Sequence, residues 1–273
     1  MIKEAFKVTN NSIIITIPLV LFVYILDLYT NFSKAGIDNA IKLLLASLTV
    51  TFMIVVFCSG WFYMVKKAIE LSKKVFIRDS DSSRETIKLY QTMIQGIGDY
   101  FMPFLFTYII LFIVQMILFP LVYYIGVNII GNFDDSLLQS LQTISADNSG
   151  QYLIDMLSPE QIVFLGKWSL LFLISFSIVV FLLMLWIPEI IYKTKNPLKA
   201  LWYSWCKLFK NFISSVKIYL FLWVIGLVLL FLNTFSLINP FIYILISVLM
   251  YYYTVYSAIL IFMYYDKKYN NEQ

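Results

Sequence analysis

Asp27, Gln115 and Glu189 each stand in, or at the end of, a long apolar run. Charged or strongly polar groups are costly there, so they are the first places to look for ion coupling, substrate contact or pairing. Asp27 and Glu189 lie near the ends of their runs and can reach an interface. Their chemistry would be the binding or relay of a cation or proton, set against plain interfacial solvation. Gln115 lies deepest and is uncharged. It can bond across helices for about 1 kcal/mol, as structural glue or as a substrate contact.

Other chemistry is ruled out by what is missing. The 273 residues contain no histidine. That removes the HExxH metalloproteases and any nucleophile activated by an imidazole. Two cysteines, Cys58 and Cys206, are too few for a zinc cluster or a disulfide framework and read as free thiols. No catalytic residue, metal set or cofactor is expected, and the chain reads as non-enzymatic.

The elements that must position these groups follow from composition. The chain is 61% hydrophobic and 13% charged, with a mean hydropathy of +0.82. A soluble domain is nearer half apolar and a quarter charged. A core of this length cannot hide the excess, so a bilayer is the expected solvent. Apolar segments long enough to cross one fall at 12–29, 43–65, 101–127, 167–190, 213–235 and 240–264. The expectation is a single all-α membrane domain over 1–273, with six spans paired as three hairpins. The first span carries Pro18 and Asp27. A cleaved signal peptide is its rival reading, with Lys3 and Lys7 as the basic region and Ser33-Lys34-Ala35 as the cleavage site.

Charge orients the spans. Sixteen of the twenty basic residues lie in the N-terminal tail, the 66–100 and 191–212 connections and the C-terminal tail. The positive-inside rule puts those four segments, and both termini, in the cytoplasm. The opposite connection, 128–166, holds Asp134, Asp135, Asp147, Asp155 and Glu160 and no Lys or Arg. Leu137, Leu138, Leu141 and Ile144 have helical spacing, and Asn148-Ser149-Gly150 reads as a turn, giving a small helical outer loop. Ser158-Pro159-Glu160-Gln161 is a helix start that should run straight into the fourth span.

The segment "WIPEIIYKTKNPLKALWYSWCKLFKNF", residues 186–212, mixes three tryptophans with five lysines. After Asn196-Pro197, the residues Leu198, Leu201, Trp202, Trp205, Leu208, Phe209 and Phe212 share one face of a helix. Lys199, Tyr203, Cys206, Lys207 and Lys210 share the other. Tryptophan favours the headgroup level and lysine reaches lipid phosphates. This predicts a helix on the inner membrane surface, with Lys199, Trp202, Trp205, Lys207 and Lys210 touching the interface; docking of a partner is the alternative. A shift of 111 residues finds a related pattern at Ile87, Lys88, Tyr90, Ile94, Ile97 and Phe101, opened by a capping box Ser82…Glu85. A fainter copy, Ile2, Ala5 and Val8 against Lys3 and Lys7, opens the chain. Each hairpin then follows an amphipathic stub, as parallel repeats do in some transporters.

Pro188, Ala200-Leu201, Ser204-Trp205 and Asn211-Phe212 make the segment resemble the recurring unit of a loose group of six-helix prokaryotic membrane proteins. That group is similar to the membrane domain attached to some glycerophosphodiester phosphodiesterases. The resemblance implies the six-span plan and a prokaryotic plasma membrane. It implies no catalytic residues, because the phosphodiesterase chemistry belongs to a separate soluble domain.

Pro18 and Pro120 should kink their helices, while Pro103 and Pro240 should sit near helix starts. Tyr251-Tyr252-Tyr253, Tyr256, Tyr264 and Tyr265 read as packing and an interface belt. The expected role is an accessory or assembly factor, with a transporter or lipid-handling protein as the alternative. Its expected partners are the lipid bilayer and another membrane protein, not nucleic acid, since acidic residues interrupt the basic loops.

Overall fold

The structure is a computed structural model that describes residues 1–75, 82–134, 137, 157–237 and 239–270. Every regular element among them is helical. In chain order these are α1 (Ile2–Asn11), α2 (Thr16–Gly36), α3 (Ala40–Val75), α4 (Ser82–Ile129), α5 (Pro159–Leu183), α6 (Trp186–Tyr192), α7 (Pro197–Lys210), α8 (Phe212–Asn233) and α9 (Pro240–Tyr265). Six stretches, Ile13–Lys34, Ala40–Lys73, Lys88–Ile129, Pro159–Tyr192, Phe212–Asn233 and Pro240–Asn270, are long and apolar enough to cross a membrane. The chain is a multi-pass membrane protein. Helices are the economical solution because each satisfies its own backbone where lipid offers no hydrogen bonds.

Local signals explain several helix starts. Ser158 Oγ accepts from the Gln161 N–H at 3.2 Å, and Gln161 Oε1 accepts from the Ser158 N–H at 3.0 Å. That reciprocal box starts α5, which continues into its span as expected. Asn196 Oδ1 accepts from the Lys199 N–H at 3.1 Å and Pro197 takes the first turn of α7. Asn239 and Pro240 start α9 in the same way.

Two expectations change. The stub foreseen at 87–101 is not a separate helix. α4 runs unbroken for 48 residues, so Pro103 lies in its interior rather than at a start. The first and last copies do end in corners, at Ser12 between α1 and α2 and at Asn211 between α7 and α8. The body of the small helical outer loop (135, 136 and 138–156), the capping-box side chains Ser82 and Glu85, and the side chain of Ile87 lie outside the described residues.

Packing divides the chain into two compact units where the sequence reads as one domain. The first comprises 1–108 and 182–273. Its core is aromatic: Phe22 stacks on Phe57 with ring centroids 4.1 Å apart, and Phe62 stacks on both Phe104 and Phe262 at 5.9 Å. Gly60 and Gly96 bring α3 against α4 so closely that a Cβ on Gly96 would lie 2.7 Å from Tyr63 Cβ and 3.1 Å from Gly60 Cα. Small residues at such crossings are how helices associate when the solvent is as apolar as the side chains. The second unit, 109–181, gathers around Trp168, which is buried among Tyr123, Phe133, Phe164 and Phe172. Gly126 leaves the room that the Trp168 ring fills. Gly131, at φ +114°, turns the chain after α4 in a conformation other residues rarely adopt.

Candidate functional site

The densest polar cluster lies in the first unit, where α6, α7 and the end of α9 meet. α6 carries Glu189 one residue after Pro188. The indole N–H of Trp186 donates to the Pro197 carbonyl at 2.8 Å, which pins α6 to the first turn of α7. Along α7, Ala200, Ser204 and Leu208 recur every four residues and none is exposed. Two small side chains and one leucine set the face that packs inward. They bring Lys207, one position before Leu208, over the carboxylate of Glu189.

The geometry is a closed triangle. Lys207 Nζ lies 2.5 Å from Glu189 Oε2. The Tyr265 hydroxyl donates to the same oxygen at 2.6 Å and accepts from Lys207 Nζ at 2.7 Å. Glu189 is 1% exposed and Tyr265 fully buried. Lys207 also sits over the Tyr265 ring at 4.8 Å, and the Tyr269 hydroxyl donates to its carbonyl at 2.9 Å. A buried carboxylate is tolerated only when paired and hydrogen-bonded, and here both conditions hold.

A ring of lesser contacts holds the triangle. Lys66 Nζ and the Tyr100 hydroxyl both donate to the Ile191 carbonyl at 3.1 Å. Lys66 lies over the Tyr192 ring at 4.8 Å. Lys73 pairs with Asp266, which also accepts from Asn270 at 2.9 Å. Ser215 and Tyr264 share a hydrogen bond of 2.9 Å. Residues of α3, α4, α6, α7, α8 and α9 therefore converge on one end of the unit.

Chemically, the triangle is satisfied rather than poised. None of the described cavities is lined by Glu189, Lys207 or Tyr265. Among the described residues no group of histidine, cysteine or acidic side chains could hold a metal ion.

The residues singled out by sequence are dispersed. Glu189 is in the cluster, buried and ion-paired instead of solvated. Asp27 is exposed on α2. Gln115 is exposed on α4 in the second unit and makes no hydrogen bond among the described residues. Lys199, Trp202 and Lys210 occupy the exposed face of α7, Trp202 at 63% exposure. Lys207 and Trp205 do not join them. Lys207 turns in to Glu189, and Trp205 is half-buried with an indole N–H that is enclosed and unbonded. The inward strip joins two of the smallest residues, Ala200 and Ser204, to Leu208, the member of the expected apolar face that is fully buried. Tyr265, Tyr269, Asp266 and Lys66 were not foreseen as partners. The clustering of tyrosines at the end of the last span was their only trace, and it read as packing.

Comparison with family models, curated proteins and solved structures finds no match to this chain.

Proposed function

We propose that this is a non-enzymatic protein of a prokaryotic plasma membrane, with both termini cytoplasmic, acting as an accessory or assembly factor. The observation that carries the reading is the division of labour on α7. Its inner face is locked by Ala200, Ser204, Leu208 and the Lys207–Glu189 pair. Its outer face leaves Leu198, Trp202 and Phe209 more than half exposed beside Lys199 and Lys210. A helix held rigidly in that way, apolar and basic on its free side, suits the headgroup layer of the inner leaflet. There it braces the end of the bundle on which a second membrane protein would assemble. The buried ions serve this bracing, which supports a structural role over a catalytic one.

The test is mass spectrometry of the protein purified gently in native lipid. A stoichiometric membrane-protein partner supports the proposal. Recovery without a partner, together with solute uptake by the purified chain in vesicles, overturns it and returns attention to transport.

A further inference from the structure

A second feature of the first unit is independent of α7. Helices α1, α8 and α9 enclose a groove of about 430 Å³. Phe221, Ile225 and Leu229, spaced every four residues, form one wall on α8. Leu249 and three tyrosines of α9 form the other, and α1 closes one side with Ile2 and Phe6. The volume falls within the range of small-molecule sites.

The phenols decide what could enter. The Tyr252 hydroxyl donates to Asn10 Oδ1 at 2.6 Å, and the Tyr253 hydroxyl donates to the Leu222 carbonyl at 2.7 Å. Both groups are spent on tying helices together, so Tyr252 and Tyr253 present rings to the groove, and of the three lining phenols Tyr256 alone keeps a donor without a hydrogen-bond partner among the described residues. A polar solute would lose its hydration there with little replacement. A hydrocarbon chain would not.

One lining residue is charged. Lys3 stands at the rim, exposed, and no ion-pair partner for it is found among the described residues. Its neighbour Glu4 pairs with Lys267, so this rim faces the lysine-rich end of α9. Lysine near a bilayer surface favours anionic over neutral headgroups by a modest factor. An apolar trough with one cation at its rim matches an amphiphile with a tail and an anionic head. The trough lies between helices that cross the membrane, where such molecules are the solvent.

We infer that the α1/α8/α9 groove is a binding site for one acyl chain of an anionic bilayer phospholipid, whose phosphate is held by Lys3. The inference does not depend on the accessory role, since α7 contributes nothing to the groove.

The test uses the full chain, stripped of lipid in detergent and exposed separately to phosphatidylglycerol, phosphatidylcholine and palmitate, with retained molecules counted by native mass spectrometry. One phosphatidylglycerol should stay bound in preference to phosphatidylcholine by about fivefold, the preference one lysine provides. Ile225→Trp fills the trough and should abolish retention while the melting temperature holds. Lys3→Glu alters only an exposed side chain, so it folds regardless, and should erase the headgroup preference. Retention equal for both phospholipids in the wild type, a preference that survives Lys3→Glu, or full retention by a folded Ile225→Trp would each overturn the site. Palmitate held as well as phosphatidylglycerol would overturn the bilayer phospholipid as its occupant.

Discussion

Glu189 and Lys207 stand eighteen positions apart in the chain and 2.5 Å apart in space, with Tyr265 bonded to both. The carboxylate has almost no contact with solvent and the ammonium little. Such a pair is held by mutual need: each ion repays the desolvation of the other, and neither is tolerable alone.

Removing one partner should therefore cost much more than removing both. Glu189→Gln or Lys207→Met alone should destabilise by about 3–5 kcal/mol. Glu189→Leu with Lys207→Met should recover much of that loss, the remainder being the buried Tyr265 hydroxyl left without its two partners. Thermal melts of the single and double variants in one detergent give the cycle. Equal losses in all three variants would mean the pair contributes through shape and not charge.

The α3–α4 crossing has no spare volume. Gly96→Ala would press a methyl to within 2.7 Å of Tyr63 Cβ, with the Gly60 backbone close behind. The expected cost is about 1–3 kcal/mol, the usual penalty for overpacking. Gly98→Ala, two residues on, meets nothing within 4 Å and should not destabilise. Its melting temperature provides the control.

The α5 start is a smaller, local matter. Ser158→Ala removes the side-chain oxygen that accepts from Gln161 N–H. A loss of about 1 kcal/mol is expected, confined to fraying of the first turn. Hydrogen exchange of the amides at 160–162 should rise while the span beyond stays protected.

Docking of α1 should depend on acid pH. Lys267, and then the N-terminal amine, hold the Glu4 carboxyl below the ordinary glutamate range. A depressed carboxylate stabilises the folded form above its unfolded value and loses that contribution as the pH falls through the folded value. The contact is exposed, so the effect is small. α1 should loosen only below the ordinary glutamate range, and Glu4→Gln should loosen it equally at all pH values. A spin label on α1 reports the change directly.

Orientation is checked by the two thiols. Cys206 is exposed on α7, while Cys58 is half-buried and 3.6 Å from the Tyr108 hydroxyl. With cytoplasmic termini, Cys206 should react with an impermeant maleimide only after the cells are opened. Labelling of intact cells at Cys206 would reverse the proposed topology.

The six spans and the starts of α5 and α7 were legible because each is written locally, in run length or in a cap followed by proline; the end of α7 was not, since the face read as running to Phe212 breaks at Asn211. Nor was the Glu189 cluster. Its partners lie 18, 58 and 76 residues apart, and pairing over such distances leaves no periodic mark. The facing of α7 failed for a different reason. The buried positions of α7, Ala200, Ser204 and Leu208, run every four residues along the edge of its apolar face, where small size admits the neighbouring helix. Ala200 and Ser204 carried that signal; Trp205 and Leu201 outshouted it.

α1 rests on α9, with Ala5, Val8 and Thr9 buried and Glu4 joined to Lys267 across 263 positions. α1 is thus synthesised well before the helix on which it is seated. At about 5–20 residues per second, α1 waits for some tens of seconds, exposed, until α9 has been threaded into the bilayer. A chain cut short before Pro240 would leave the buried face of α1, Ala5, Val8 and Thr9, uncovered in the bilayer.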